Sequence, residues 1–152
     1  MGAPLRRGVA SGSRSCAASR RRDVLDPGAG VTILVVEDET RIAAFVRKGL
    51  EARGYDAETV GTGGAALARL ARGGVALVIL DLGLPDLDGI EVLQRVRGDG
   101  SQVPVIVLTA RNEAEEEIRK LELPISSYVT KPFAFERLAE CVRAGLVNGD
   151  DR

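Results

Sequence analysis

The 152-residue chain contains no histidine and no tryptophan, only two cysteines, one methionine, two tyrosines and three phenylalanines. Without histidine, imidazole acid–base chemistry and the usual nitrogen ligand of zinc are excluded. Cys16 and Cys141 lie far apart with no Cys-x-x-Cys, which sets aside a disulfide framework and a structural zinc site. Aromatic residues are 3% of the chain, too few for a base-stacking platform. No apolar run approaches the roughly 18–20 residues of a membrane span. Nor is there an excess of one charge: the formal net charge is -1, so no direct contact with nucleic acid or an anionic membrane is expected. With 45% hydrophobic and 28% charged residues, the expectation is a soluble, cytoplasmic globular domain.

The charge is nevertheless uneven. Residues 1–30 carry Arg6, Arg7, Arg14, Arg20, Arg21 and Arg22 against Asp23 and Asp26, a balance of +4, and the rest of the chain carries -5. This front piece has almost nothing to bury and reads as a disordered basic extension. Its Ser19-Arg20-Arg21-Arg22 is followed by no apolar run before Glu37 and Asp38, which argues against an export signal.

From Val31 the pattern turns regular. Val31–Val36, Tyr55–Val60, Val75–Leu80, Pro104–Leu108 and Tyr128–Thr130 read as five short strands, the first, third and fourth apolar enough to be covered on both faces. Between them lie five helical patterns. The first has Ile42, Phe45, Val46 and Leu50 inward and Gly54 as its stop. The second carries Ala66, Leu67 and Leu70, and the third spans Gly89–Val96. The fourth, Glu113–Leu123, is strongly acidic with Ile118 and Leu121 inward, and the fifth spans Phe135–Leu146. Such alternation implies right-handed βαβ units and a parallel sheet with helices on both faces, an α/β domain over 31–146 with a short tail at 147–152. In open sheets of this kind chemistry sits beyond the carboxyl ends of the strands.

Those ends are distinctive. The first strand runs into Glu37-Asp38-Glu39, the third into Asp81 and Gly83, the fourth into Thr109, and the fifth into Lys131-Pro132. Carboxylates gathered at one sheet edge repel by a few kcal/mol per pair at an effective dielectric of ~20, a cost a fold tolerates where a cation belongs. Oxygen ligands without His or Cys suit Mg²⁺. A carboxylate, a hard cation, a hydroxyl and an ammonium form the parts of phosphoryl transfer. Asp81 would be the nucleophile, Lys131 and Mg²⁺ would neutralise the equatorial oxygens, and Thr109 would supply a hydrogen bond.

Four ordered stretches then carry a resemblance: Ile33–Glu39, Val78–Gly89, Val105–Arg111 and Tyr128–Phe133. The chain resembles the CheY-like response-regulator receiver domains of two-component signalling, and within them the branch fused to winged-helix DNA-binding domains (the OmpR/PhoB type). The resemblance implies a flavodoxin-like (βα)5 fold with strand order 2-1-3-4-5. It implies Asp81 as phosphoacceptor, and Glu37, Asp38, Asp81 and the Gly83 carbonyl around Mg²⁺. Thr109 and Tyr128 fall on its switch pair, Lys131 on its invariant cation, and the Lys131–Pro132 bond on a cis peptide. It also implies a sensor histidine kinase or histidine phosphotransferase as partner, and a phosphoprotein switch or phosphorelay module that is not itself an enzyme.

Some positions depart from the branch. Pro124 stands where a glycine ends the fourth helix in a left-handed cap, so that end is expected to stop differently. Glu117 replaces a Lys or Arg, Ser126 and Ser127 replace paired aspartates, and Cys141 replaces an Arg, removing the ion pairs through which that branch dimerises. A monomer or weak dimer is expected. The chain stops at Arg152, so it is expected to act as a stand-alone receiver bound for a downstream protein target; the alternative is a truncated transcriptional regulator lacking its DNA-binding half. Enzymes on related folds fit less well. A haloacid-dehalogenase-type phosphatase needs a second Asp where Gly83 stands, and a flavodoxin would cradle phosphate where Glu37-Asp38-Glu39 repel it.

Overall fold

The computed structural model describes residues 30–111 and 113–150; the basic extension up to residue 29, with Cys16, lies outside the described residues. Ten elements alternate: β1 (Thr32–Val36), α1 (Thr40–Ala52), β2 (Asp56–Val60), α2 (Gly63–Ala71), β3 (Leu77–Leu80), α3 (Gly89–Gly98), β4 (Val105–Thr109), α4 (Ala114–Lys120), β5 (Ser127–Thr130) and α5 (Phe135–Asp150). All four strand pairings are parallel, in the order β2-β1-β3-β4-β5. This is the doubly wound topology expected from the alternation.

Period-two alternation along the strands divides the core into two layers. Leu34, Val36, Val78, Leu80, Val105 and Val107 face the layer closed by Ala66 of α2, Leu93 of α3 and Ile118 of α4. Ile33, Val35, Leu77, Ile79, Ile106 and Leu108 face the layer closed by Val46 and Leu50 of α1 and Leu138 and Val142 of α5. Cys141 is buried in the second layer, about one helical turn from Leu138. β2 has a mixed burial pattern because it forms an edge of the sheet.

Two residues taken as inward-facing are not. Phe45 is 53% exposed. The stripe of α1 is centred on Ala43, Val46 and Leu50, and Phe45 sits one residue, about 100°, away from Val46. Its ring rests instead on Phe133 and edge-on against Phe135, with centroids 6.1 and 5.9 Å away. Leu121 is 43% exposed because α4 ends at Lys120 rather than at Leu123. There Glu122 takes a left-handed conformation, φ 57°. The N–H of Glu122 donates to the Arg119 carbonyl and that of Leu123 to the Ile118 carbonyl, the two bonds of a Schellman cap. The left-handed cap is kept, and Glu122 provides it two residues before Pro124. At the far end, α5 runs on to Asp150, so the helix occupies residues assigned to a tail from 147.

Candidate functional site

Strand register assembles the site. Val36 pairs with Leu80, so the next residues on each strand, Glu37 and Asp81, emerge side by side. Thr109 pairs with Thr130, which places Lys131 one step beyond the sheet, its N–H donating to the Thr109 carbonyl at 2.9 Å. Between β1 and β3 the chain switches from building the sheet one way to building it the other, the crevice where ligands of such sheets bind.

Glu37, Asp81 and Thr109 are the buried polar residues among the described ones, at 3%, 6% and 2% exposure, while Asp38 is exposed. The Lys131 ammonium donates to Glu37 Oε1 at 2.8 Å and to Asp81 Oδ2 at 3.2 Å. Glu37 Oε2 accepts the Glu39 N–H at 3.1 Å, and Asp81 Oδ1 accepts the Gly83 N–H at 3.1 Å. Burial pushes the Glu37 carboxyl up to about 7; Lys131 and the Glu39 N–H pull it back only in part, and Asp81 adds to the rise. Burial alone would lower Lys131, but its hydrogen bond to Glu37 and the charges of Asp81 and Glu37 outweigh that and hold it raised. One carboxylate oxygen from each of Glu37, Asp38 and Asp81 lies within 4.8 Å of the others. One ammonium faces these three acids, leaving a negative, oxygen-only pocket that suits a hard divalent cation.

Asp38, Asp81, Gly83, Thr109 and Lys131 line a single open cavity of about 350 Å³. Tyr128 does not line it. Its half-buried ring packs on the α2–α4 layer, and its hydroxyl donates to the Arg111 carbonyl at 2.6 Å. Burial, and then the Glu115 charge, raise its pKa. The Thr109 hydroxyl accepts the Arg111 N–H at 3.1 Å; its own proton remains available to donate. The Lys131–Pro132 bond is cis.

The loop after β3 is held from several sides that sequence reasoning had not singled out. Gly83 and Asp88 form an antiparallel bridge across it. Asp86 reaches the amino end of α2, its carboxylate accepting the N–H groups of Gly63 and Gly64 at 2.8 and 2.9 Å. Those bonds hold Asp86 below the usual carboxylate range. Asp88 caps α3 through the Ile90 N–H at 2.9 Å. Gly89 must be glycine: a Cβ there would lie 2.5 Å from Leu82 Cα and 2.7 Å from the Asp81 carbonyl oxygen. The Asp-Gly pair opening an apolar helix was a legible cap signal. Asp86, whose partners lie more than 20 residues back, had no local signal.

Residues 33–143 match the response regulator receiver domain family. The chain belongs to that family. A transcriptional regulatory protein of Bacillus subtilis, YkoG, is 45% identical over 114 residues, 75% of this chain and 50% of that protein. KdpE of Mycobacterium tuberculosis is 41% identical over 114 residues, with the same coverages. The receiver thus spans about half the length of the curated relatives it matches. Among solved structures, a CheY-like receiver from Methanospirillum hungatei has a TM-score of 0.74 at 27% identity, covering 80% of this chain and 97% of that one. The response regulator TrrA of Thermotoga maritima, solved in complex with Mg(2+)-BeF, has a TM-score of 0.68 at 33% identity, covering 74% and 96%.

Proposed function

We propose that this receiver takes a phosphoryl group on Asp81 from a phosphorylated histidine of a sensor kinase or phosphotransferase, and that the modification switches what the domain binds. The carrying observation is the meeting of Glu37, Asp38 and Asp81 within 4.8 Å beside the Lys131 ammonium. An Asp81 oxygen attacks phosphorus, forming the O–P bond of an acyl phosphate. The P–N bond breaks, and its electron pair stays on the imidazole, which takes up a proton. Lys131 and Thr109 line the same cavity: the ammonium would face the oxygens that gain charge, and the Thr109 hydroxyl would donate to one of them. Glu37, Asp38, Asp81 and the Gly83 carbonyl are the groups suited to Mg²⁺, which when bound supplies further charge neutralisation for phosphoryl oxygens. The domain is a phosphoacceptor, with no substrate turned over beyond loss of its own phosphoryl group.

Incubation with acetyl phosphate and Mg²⁺, read by intact mass, is expected to add one phosphoryl to the wild type and none to Asp81→Asn. No addition to either protein would overturn the reading. The names of the curated relatives favour transcriptional control as the downstream role; a winged-helix reading frame joined to this one in the gene would support it.

Phosphorylation is expected to leave the domain without a tight dimer through α4, β5 and α5. Glu117 is engaged by Arg111 of its own chain at 3.0 Å, and Cys141 is buried. Light scattering over a concentration series checks this; tight phosphorylation-dependent dimers on that face would refute it.

A further inference from the structure

The groups suited to Mg²⁺ come from two segments, Glu37 and Asp38 after β1 and Asp81 and Gly83 after β3. A third segment, the turn from β2 into α2, touches both. On one side the Glu37 N–H donates to the Val60 carbonyl at 3.0 Å, and a Cβ on Gly61 would lie 3.8 Å from Asp38 Cα. On the other side Asp86, at the tip of the loop after β3, accepts the N–H groups of Gly63 and Gly64 at 2.8 and 2.9 Å. That loop is closed on itself. The Gly89 N–H donates to the Leu82 carbonyl at 2.9 Å, Gly83 and Asp88 are bridged, and Asp86 Oδ1 also accepts the Leu87 N–H at 2.9 Å. A displacement of Asp86 is therefore passed to Gly83.

The amino end of α2 depends on the same contact. Its first two residues are glycines, the residue type that loses most freedom on folding. The first must be glycine: a Cβ on Gly63 would stand 2.9 Å from Val92 Cγ2 and 3.0 Å from Leu87 Cβ. The Thr62 side chain caps the third N–H, that of Ala65, at 3.0 Å, which leaves the first two to Asp86. A carboxylate on two N–H groups at a helix amino end gains from its charge and from the helix dipole.

Resting on the reading of Glu37, Asp38, Asp81 and Gly83 as the Mg²⁺ pocket, we propose that Asp86 is a positioning residue. By fastening the loop after β3 to the turn into α2, it holds the Gly83 carbonyl in place relative to Asp38 and so sets the affinity of the pocket for Mg²⁺. Lys131 joins the two acidic segments within the pocket; Asp86 joins them again from outside it, through the backbone of α2. A carbonyl already in place needs less ordering when the cation arrives. The coupling is reciprocal: a cation that tightens the pocket also tightens the hold of Asp86 on Gly63 and Gly64.

The test uses the full chain and magnesium chloride alone. Calorimetric titration gives the affinity, hydrogen exchange of isotopically labelled glycine amides gives the hold on Gly63 and Gly64, and thermal melts confirm folding. Asp86→Ala is expected to weaken Mg²⁺ binding by about three- to tenfold, less than the loss of a direct ligand partner. Asp86→Asn, which keeps one acceptor oxygen, should fall between it and wild type, and carries the comparison if the alanine variant does not fold. Thr62→Ala removes the cap at the same helix end without touching the loop; it should lower Tm yet leave Mg²⁺ affinity within about twofold of wild type. In wild type Mg²⁺ should slow exchange at Gly63 and Gly64, and in Asp86→Ala both amides should exchange fast with or without it. Asp86 variants that bind Mg²⁺ like wild type, a Thr62→Ala loss as large as theirs, exchange that ignores Mg²⁺, or a wild type that binds none would each overturn the proposal. Phosphorylation does not enter these measurements, so a receiver that behaves as expected here yet takes no phosphoryl group supports the role of Asp86 and fails the proposed function alone.

Discussion

The two ends of the sheet treat charge in opposite ways. At the amino ends of the strands, Arg97 on α3 is surrounded by what a guanidinium needs. It donates to the carbonyls of Ser101 at 3.1 Å, Val103 at 2.7 Å and, from two nitrogens, Pro124 at 2.9 and 3.1 Å. One cation thereby joins the turn after α3 to the turn before β5 and satisfies carbonyls that have no place in the ladder. At the carboxyl ends, Glu37 and Asp81 are buried side by side with Asp38 close by, and among the described residues Lys131 is the cation paired with them. The first end is arranged for stability. The second keeps an electrostatic cost of the kind a fold tolerates where a hard cation binds.

Removing the key charge should therefore act with opposite sign at the two ends. Arg97→Ala leaves three carbonyls without their donor and frees the turn leading to β5. A charge-assisted hydrogen bond contributes ~1.5–3 kcal/mol when buried and less at a partly exposed site. The expected loss is about 3 kcal/mol, read as a lower urea midpoint with the slope unchanged. Affinity for Mg²⁺ should stay within about twofold of wild type, since Arg97 lies at the far end of the strands. A variant as stable as the parent would erase the contrast.

Glu37→Gln should shift stability the other way. Folded Glu37 titrates near 7 against an ordinary 4.5, so the folded state holds this proton more tightly than the unfolded chain. Protonated Glu37 suits the fold, and its contribution is complete below about pH 4.5 and is lost as pH rises through 7. With Mg²⁺ absent, that slope amounts to on the order of 3 kcal/mol at most. Glutamine removes the charge but supplies one acceptor where the carboxylate supplied two, to Lys131 and to the Glu39 N–H. The net expectation at pH 8 is a gain of about 1–2 kcal/mol without metal, a flattened pH slope, and a Mg²⁺ affinity lower by roughly tenfold or more. Calorimetric melts at pH 5 and pH 8, with and without Mg²⁺, separate these effects. A Glu37→Gln protein less stable than wild type at pH 8 would mean that the acids are not in opposition.

The same division explains what was legible in the sequence. The strands and their order follow from short apolar runs with helices between them, and Glu37, Asp81, Thr109 and Lys131 were visible because each directly follows such a run. Register then did the rest: Val36 opposite Leu80 and Thr109 opposite Thr130 are consequences of burying the right faces. What escaped notice depends on partners distant in the chain. Asp86 finds the amino end of α2, Arg111 finds Asp88 and Glu117, and Arg97 finds Pro124; none of these meetings has a local pattern. Phe45 was misread for a different reason. A hydrophobic residue at the margin of an amphipathic stripe looks the same in sequence whether it turns to the core or to neighbouring rings.

The smallest expected effect lies at the amino ends again, where α4 gives way to the strand that carries Tyr128. The sequence suggested that Pro124 would force an unusual stop, yet the chain makes an ordinary left-handed cap with Glu122 at φ 57°. A residue with a Cβ is strained there, by roughly 1 kcal/mol relative to glycine. Glycine recovers that amount but makes the unfolded chain more flexible, which offsets part of the gain. Glu122→Gly should therefore stabilise the domain by about 0.5 kcal/mol, visible as a rise of a few degrees in Tm. It should leave phosphoryl half-life and Mg²⁺ affinity as they are, because Glu122 is exposed and lines no part of the cavity. A shift in half-life would show that the end of α4 is coupled to the site, and the separation drawn between a stabilising end and a working end would then have to include α4 with the latter.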